Sequence, residues 1–209
     1  FAPNDRGQGL ANAITSAGFS MDDAIRAGLF SQKDGRPPWP TFYNRVMFPI
    51  NDTRENTISF GGRVLKGAED DKYNSGKYRN GPETILFKKH RNLYNFLPAI
   101  KASKDDGMVI FVEGYMDVEG LRSAGVENSV AGLGTAITED QLRLLMGRVG
   151  EVCFCLDGDA AGQRAAEEGM KRCLPLLDGT TAVSFAFMPD GYDPDDYAKE
   201  FGGDKFLDI

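Results

Sequence analysis

The stretch Met108-Val109-Ile110-Phe111-Val112-Glu113 places a carboxylate directly after five apolar residues. A short, continuous apolar run of this kind is typical of a buried strand. The same pattern returns further along the chain after the apolar runs 152–156 and 183–187, and the acidic residues there are Asp157, Asp159, Asp193 and Asp195. Each carboxylate is therefore expected close to the point where a strand leaves the core.

Strands and helices alternate along the second half of the chain. We predict strands at 108–112, 129–133, 152–156 and 181–187, and helices at 115–124, 138–147, 160–173 and 194–201. This alternation predicts a parallel α/β sheet flanked by helices. Parallel strands all end at one edge of their sheet, and such folds bind ligands at that edge. We therefore expect the carboxylates to converge there.

Several carboxylates at one edge repel each other unless a cation neutralises them. Sites built only from oxygen ligands suit hard divalent ions such as Mg²⁺ or Mn²⁺. Gly158 lets the backbone bend between Asp157 and Asp159, so that both side chains can point toward one ion. A single acidic turn is a weak signal, because such turns are common on surfaces. Its recurrence at three strand ends favours a metal site for phosphate chemistry.

The first half of the chain has a different pattern. It predicts two short helices within 7–27, an antiparallel strand pair at 45–50 and 57–60, a long polar loop at 66–82, and a helix at 92–102. Pro49, near the end of the first of these strands, favours an edge position. The polar stretch 101–107 has the composition of a linker. We therefore predict one domain at 1–104 and a second at 105–209.

The formal net charge of −7 is unevenly distributed. Residues 1–100 contain 14 Lys and Arg against 10 Asp and Glu, a balance of +4, whereas residues 101–209 contain 10 against 21, a balance of −11. An acidic protein can bind nucleic acid when its cations share one face and metal ions mask its acidic site. The alternative is that the asymmetry serves solubility alone.

Composition also excludes several classes of protein. No apolar stretch approaches the roughly 20 residues that cross a bilayer, so no membrane partner is expected. Three cysteines without paired spacing indicate a reducing cytoplasmic compartment. With one histidine and no Cys-x-x-Cys pair, this chain is not expected to hold zinc. The chain begins with Phe1 rather than Met, and we expect it to be part of a longer protein.

Three segments of the second half resemble the motifs of the Toprim fold, which bacterial primases, type IA and type II topoisomerases and some nucleases share. These segments are Glu113-Gly114-Tyr115-Met116-Asp117, Asp157-Gly158-Asp159-Ala160-Ala161-Gly162 and Pro189-Asp190-Gly191-Tyr192-Asp193-Pro194-Asp195. The resemblance implies a Toprim-type parallel sheet flanked by helices.

Segments of the first half are similar to the RNA polymerase core of bacterial replicative primases of the DnaG type. They are Phe1-Ala2-Pro3, Arg45-Val46-Met47-Phe48-Pro49-Ile50, Phe60-Gly61-Gly62-Arg63-Val64 and Lys77-Tyr78-Arg79-Asn80-Gly81-Pro82-Glu83-Thr84. The resemblance covers essentially the whole chain and implies a smaller, basic α+β subdomain before the Toprim sheet. A polar segment between Arg63 and Lys77 departs from the family pattern and resembles an insertion.

The resemblance also implies roles for individual residues. Catalysis would depend on Glu113, Asp157 and Asp159. Divalent metal would be bound by Glu113, Asp157, Asp159, Asp193 and Asp195. Nucleic acid or nucleotide phosphates would be contacted by Arg63, Lys77, Asn80, Lys89 and Arg45. A structural ion pair is an equally good interpretation of Arg45.

The implied activity is that of a DNA primase, a nucleotidyltransferase that makes short RNA primers on single-stranded DNA during DNA replication. Its substrates would be ribonucleoside triphosphates and the growing RNA primer, with two or more Mg²⁺ or Mn²⁺ ions as cofactors. Zinc would be bound only by a domain outside this chain, and the replicative helicase by another. The expected location is the cytoplasm, on the nucleoid at the replication fork, as part of a primosome.

Three alternatives remain from the sequence. The chain could be another Toprim enzyme, a nuclease or a topoisomerase fragment, although a topoisomerase needs a nucleophilic Tyr on a further domain. It could be a phosphatase of the haloacid dehalogenase type, which also uses Asp-x-Asp after a strand but wants a Thr where Ala160-Ala161 stands here. It could also be a nucleic-acid-binding module without activity, which the complete set of carboxylates disfavours.

Overall fold

The computed structural model describes residues 1–65, 76–104, 107–134 and 136–209. They divide into two compact units by their packing. The first unit consists of Phe1–Asn51 and Asn56–Lys88, and the second consists of Asp52–Glu55 and Lys89–Ile209. Residues 66–75, which form most of the predicted polar loop, lie outside the described residues.

The first unit begins with two helices, α1 (Gln8–Ser16) and α2 (Met21–Arg26), and a short antiparallel pair, β1 (Phe30–Ser31) with β2 (Trp39–Pro40). Gly18, at a φ of 82°, separates the two helices. Ser20 starts α2: its hydroxyl accepts the Asp23 N–H, and the Asp23 carboxylate accepts the Ser20 N–H. This reciprocal capping box confirms the predicted break and restart of the helix.

A three-stranded antiparallel sheet completes the first unit, with β3 (Arg45–Asn51), β4 (Thr57–Val64) and β5 (Tyr78–Asn80) in that order. Strand β3 lies at one edge, as Pro49 predicts. Strand β5 corrects the prediction of an unbroken loop at 66–82, because residues 78–80 pair with Gly61–Arg63. The polar sequence of this segment hides the strand, since its pairing comes from backbone hydrogen bonds to β4 and not from an apolar face.

The second unit is built on a parallel sheet in the order β7-β6-β8-β9, where the strands are β6 (Met108–Val112), β7 (Ser129–Ala131), β8 (Glu151–Leu156) and β9 (Ala182–Phe187). The helices are α3 (Phe96–Ala102), α4 (Tyr115–Ser123), α5 (Glu139–Leu145), α6 (Ala160–Cys173), α7 (Pro194–Phe201) and α8 (Gly203–Leu207). The predicted parallel α/β sheet flanked by helices, preceded by a small α+β subdomain, is therefore confirmed.

The main core lies on one face of this sheet. Phe111 and Phe154 of the two central strands pack there with their ring centroids 5.2 Å apart. Helices α3, α5 and α6 contribute further buried residues to the same cluster, including Phe96, Leu142 and Ala166. Helix α4 packs on β6 and β7, and α7 packs on α4. These layers fix the strand ends, and with them the carboxylates that follow.

The two units divide earlier than the predicted linker at 101–107. Gln141 is fully buried and donates to the carbonyl oxygens of Lys89 and Asn92, at 2.9 and 2.8 Å. Tyr94 bridges to Ala131 at the edge of the parallel sheet. Residues 89–104 therefore pack with the second unit. The division of the chain into domains at 1–104 and 105–209 stays a prediction. Among the described residues, none of the helices is both long and apolar enough to span a membrane.

Candidate active site

Three neighbouring parallel strands, β6, β8 and β9, deliver the acidic residues to one edge of the sheet. Glu113 follows β6 directly and is exposed, and Asp157 follows β8 and is half-buried. Five residues, 188–192, separate Asp193 from the end of β9. Since β8 lies between β6 and β9, its carboxylate lies between the other two along the edge.

The carboxylates at this edge influence one another. Partial burial raises the pKa of Glu113 above its ordinary value, and the charges of Asp157 and Asp159 raise it further, against a backbone hydrogen bond from Asp157. Burial also raises the pKa of Asp157, followed by the charges of Asp193 and Asp159. The edge is thus a region of concentrated negative potential, where removing a proton costs more than in water.

Asp159 and Asp193 each cap a helix as well. One oxygen of Asp159 accepts the backbone N–H groups of Ala161 and Gly162 at 2.7 and 2.8 Å, and these bonds lower its pKa. One oxygen of Asp193 accepts the Asp196 N–H at 2.7 Å. In both residues the capping bonds use Oδ1, so Oδ2 is the oxygen through which each would bind a further ligand.

Asp195 is placed differently. Its Oδ2 accepts a hydrogen bond from Lys199 Nζ at 2.5 Å, one helical turn later. Its Oδ1 is buried and has no hydrogen-bond partner among the described residues. The carboxylate packs against Gly120 of α4, where a β-carbon would overlap it. Asp195 therefore already has a cationic partner in Lys199, in contrast to its predicted role as a metal ligand, which stays a prediction.

Sequence reasoning did not include Asp117 in the site. Its carboxylate accepts the Gly114 N–H at 2.9 Å at the start of α4. Burial raises its pKa to about 7, against the Gly114 bond, and the charges of Asp193, Asp157 and Asp195 contribute to the rise. Asp117 is therefore a sixth member of the acidic group. Its position in the first turn of α4, directly after the strand end that carries Glu113, was the signal that could have identified it.

Glycines allow the two acidic loops to come close to each other. A β-carbon on Gly158 would overlap the carbonyl oxygen of Met188, in the connection that leads to Asp193. A β-carbon on Gly162 would overlap the carbonyl oxygen of Asp157. The spacing of glycines in this motif therefore has a steric cause: both positions are in backbone contact.

An all-oxygen donor set of this kind matches Mg²⁺ or Mn²⁺ in its chemistry. Within the described ranges, no three Asp, Glu, His or Cys side chains lie close enough together to form a complete ion site. The carboxylates are thus close enough to affect one another's pKa. No three of them, among the described residues, surround a common point. The oxygen-only chemistry of the donor set therefore fits a divalent ion.

A cavity of about 340 Å³ opens beside Glu113. Its apolar wall includes Phe111, Phe154 and Ile137, and Gly169 of α6 contributes to its lining. The cavity provides an apolar surface next to the exposed carboxylate.

The first unit presents cations around one aromatic ring. Arg63 on β4 lies opposite Tyr78 on β5, with its guanidinium carbon 5.9 Å from the ring centroid. The ammonium group of Lys77 lies 5.4 Å from the same centroid. Tyr78 is 45% exposed. Arg63 and Lys77 thus form one basic, aromatic surface, although their predicted contacts with nucleic acid stay predictions.

Arg45 is buried with 0% exposure. Its guanidinium donates to the carbonyl oxygens of Gly62 and Lys77, both at 3.2 Å, and of Gly76 at 2.8 Å. This placement indicates a structural role, because a buried guanidinium cannot reach a phosphate without opening the sheet. The contact of Arg45 with nucleic acid stays a prediction. In these bonds its partners are backbone carbonyl groups.

The remaining two predicted contact residues are separated between the units. Asn80 is on β5 in the first unit, half-buried, and its Oδ1 has no hydrogen-bond partner in the part of the chain that is described. Lys89 is in the second unit, in a single turn of 3₁₀ helix (Lys89–Arg91), with its backbone fastened to Gln141.

Comparison with known protein families gives two matches that together span most of the chain. The family described as "DNA primase catalytic core, N-terminal domain" matches residues 1–100. The Toprim domain matches residues 107–187. The second match includes Glu113, Asp157 and Asp159 and ends before Asp193.

A DNA primase of Haemophilus influenzae is 41% identical over 182 residues, which are 87% of this chain and 30% of that protein. The chain therefore spans about a third of the length of the curated relatives that it matches. Among solved structures, the DnaG primase catalytic domain bound to ssDNA has a TM-score of 0.83 at 37% identity, over 94% of this chain and 63% of that one.

The RNA polymerase domain of the Mycobacterium tuberculosis primase DnaG has a TM-score of 0.86 at 32% identity, over 100% of this chain and 67% of that domain. Fold and sequence therefore agree over both units with solved polymerase domains of one family.

Proposed function

This chain belongs to the DnaG-type DNA primase family, and we propose that it carries the catalytic core that makes short RNA primers on single-stranded DNA. The reaction joins ribonucleotides: the 3′-hydroxyl of one attacks the α-phosphate of an incoming ribonucleoside triphosphate, and pyrophosphate leaves. The proposal rests on the family match and on one observation in particular. That observation is the electrostatic coupling of Glu113, Asp157 and Asp193 at the ends of three neighbouring strands.

Negative charge spreads over the phosphate oxygens in such a reaction, so catalysis is mostly positioning and electrostatic stabilisation. Two or more Mg²⁺ or Mn²⁺ ions, when bound, would lower the pKa of the attacking hydroxyl and stabilise the leaving oxygen. The residues that would hold these ions are Glu113, Asp157, Asp159 and Asp193. Asp195 would join them through Oδ1, because its Oδ2 is engaged by Lys199.

The protein's own groups have distinct parts in this scheme. Glu113 is exposed and its pKa is raised above its ordinary value, which favours its use as a carboxylate that accepts and returns a proton. Asp159 and Asp193 present one oxygen each from a fixed helix start. Asp157 stands between Glu113 and Asp193 along the edge and couples to both, so it is the residue whose loss disturbs the site most.

Template binding is assigned to the first unit. Arg63 and Lys77 would neutralise phosphates of single-stranded DNA, and the exposed ring of Tyr78 beside them would stack on a base. Proteins that bind single strands combine cationic tracks with aromatic platforms in this way, and each stacked base contributes about 1–3 kcal/mol. The solved relative with bound ssDNA supports this choice of template.

The remaining partners follow from the family. Ribonucleoside triphosphates and the RNA primer would be bound in the second unit, and the replicative helicase by a domain outside this chain. The reaction would take place in the cytoplasm at the replication fork.

The test is ribonucleotide incorporation by this chain on single-stranded DNA with Mg²⁺ or Mn²⁺, comparing Asp157→Ala with the parent. We expect the variant to fold normally and to lose activity on the order of 100-fold or more. Glu167→Ala, which removes an exposed carboxylate from α6, is the matched control and should be unaffected. Near-normal primer yield from Asp157→Ala would refute the assignment. Metal-dependent cleavage of the DNA without nucleotides would indicate a nuclease instead.

A further inference from the structure

Three aromatic side chains cluster beside the last acidic loop, and we call Tyr192, Tyr197 and Phe201 the aromatic clamp. The ring centroids of Tyr192 and Tyr197 are 5.5 Å apart, those of Tyr192 and Phe201 are 5.6 Å apart, and those of Tyr197 and Phe201 are 4.7 Å apart. All three rings thus contact each other. Because Phe201 is 45% exposed, the clamp is a surface feature and not part of the main core.

The clamp has the sequence position of a hydrophobic staple. Asp193 is the N-cap of α7, Tyr192 is the residue before the cap, and Tyr197 is the fourth residue of the helix. A contact between these two positions fixes the angle at which the chain enters a helix. Phe201, one turn after Tyr197, extends the contact along the same face.

Hydrogen bonds fasten the same segment. The Tyr192 N–H donates to the Pro189 carbonyl at 3.1 Å, and the Tyr192 hydroxyl donates to Glu200 at 3.0 Å. The Tyr197 N–H donates to the Asp193 carbonyl at 3.0 Å. Tyr192 is therefore attached at its backbone, its ring and its hydroxyl, and Asp193 follows it directly in the chain.

Asp193 needs such an attachment, because its carboxylate and that of Asp157 repel each other. Of the charges that raise the pKa of Asp157, that of Asp193 is the largest. The reverse force acts on Asp193 and favours a loop conformation that moves its carboxylate away from Asp157. At its other end the loop is held by the close approach of Met188 to Gly158.

We propose that the aromatic clamp is a positioning device that holds Asp193 near Asp157 before a divalent cation arrives, an inference that rests on the proposed function. The ring contacts of the clamp offset part of the repulsion between the two carboxylates. Less of the binding free energy of the ion is then needed to move the loop. Tyr192 acts through Asp193 and contacts no reacting atom.

Binding of Mn²⁺ to the chain without DNA or nucleotides, followed by electron paramagnetic resonance, tests this role independently of activity. Tyr192→Ala should weaken Mn²⁺ binding about tenfold, the lower range for residues that support metal ligands. Tyr192→Phe keeps the ring and should bind within about twofold of the parent. Phe19→Ala, which removes a 63% exposed ring from the first unit, is the control and should change nothing.

Primer synthesis provides the second readout. The Mg²⁺ concentration for half-maximal rate should rise in Tyr192→Ala, while the rate at saturating Mg²⁺ stays close to that of the parent. If Tyr192→Ala does not fold, Phe201→Ala removes the outer ring of the clamp and should weaken Mn²⁺ binding by a smaller factor.

The inference is overturned if folded Tyr192→Ala, or folded Phe201→Ala in its place, binds Mn²⁺ as the parent does. It is also overturned if Tyr192→Phe loses as much affinity as Tyr192→Ala, because the ring would then not be the cause. If the parent chain binds no Mn²⁺, the proposed metal site itself fails. Loss of affinity in Tyr192→Ala alone, with normal folding, supports the clamp.

Discussion

The α-carbon of Gly158 lies against the carbonyl oxygen of Met188, so closely that a β-carbon at position 158 would overlap that oxygen. Gly158 is in the turn that carries Asp157 and Asp159, and Met188 begins the connection to Asp193. Two acidic loops, which follow two neighbouring strands, therefore meet through backbone atoms and not through their charged side chains. The contact explains why these loops can stay close despite their like charges.

We expect Gly158→Ala to separate the two loops, because neither backbone can yield as a flexible side chain would. It should lower the free energy of unfolding by about 1–3 kcal/mol, the usual cost of overpacking, and greatly reduce primer synthesis. Gly169→Ala in α6 is the control: its β-carbon would meet only the rings of Phe154 and Phe185, at ordinary contact distances of 3.7 Å or more. That change should stabilise the chain by about 0.5–1 kcal/mol. Equal unfolding midpoints for the two variants in urea would contradict the steric argument.

Lys77→Ala should weaken binding of single-stranded DNA without changing Mn²⁺ affinity, because it removes one cation from the surface around Tyr78. Fluorescence anisotropy across a salt titration is the measurement, and the slope of log affinity against log salt should fall by about 0.7, the value for one contact to a single strand. Lys33→Ala, an exposed lysine of the same unit, serves as the control. An unchanged slope in Lys77→Ala would show that Lys77 does not contact a phosphate of the DNA.

The raised pKa of Asp117 predicts how stability depends on pH without divalent ions. Its pKa of about 7 lies above the unfolded value near 3.8, so between these values the folded state binds more protons than the unfolded state. The contribution of Asp117 to stability is therefore fully present below about pH 4 and is lost as pH rises toward 7.

The melting temperature in EDTA should thus contain a component that falls between about pH 4 and pH 7 and is smaller in Asp117→Asn, which keeps an acceptor for the Gly114 N–H but has no charge. Added Mg²⁺ should diminish the fall in the parent. A parent and an Asp117→Asn variant with parallel pH profiles would show that Asp117 does not titrate in this range.

Arg45→Met tests whether the buried guanidinium is structural. It removes the donor for three backbone carbonyl groups, and we expect a loss of about 3 kcal/mol in the free energy of unfolding of the first unit. Arg36→Met, in an exposed loop of the same unit, should cost much less. Full stability of Arg45→Met together with weakened DNA binding would instead support the prediction that Arg45 contacts nucleic acid.

The parallel sheet could be predicted because each of its main strands is a run of apolar residues followed by a helix with a recognisable start. Thr138 illustrates this: its hydroxyl accepts the Gln141 N–H and begins α5 where the sequence placed it. Strand β5 could not be predicted in the same way. Its residues are polar, and it exists through pairing with Gly61–Arg63, which no local pattern reveals.

The candidate site also combines features that local sequence patterns predict with features that depend on tertiary packing. The strand ends that carry Glu113 and Asp157 follow from periodicity, and the family motifs supply the chemistry. The bond between Lys199 and Asp195, the burial of Arg45 and the involvement of Asp117 depend on how elements pack together. Spacing alone cannot show which oxygen of a carboxylate is already engaged.

Asp159 and Asp193 are helix caps as well as proposed metal ligands, and this affects how the activity of any variant of them should be interpreted. Exchanging either for alanine would remove a charge and also fray the first turn of α6 or α7, so lost activity would have two causes. Asparagine separates them, since its side-chain oxygen still accepts the backbone N–H groups while the negative charge is gone. In this chain the amide substitutions, rather than alanine scanning, report on ion binding alone.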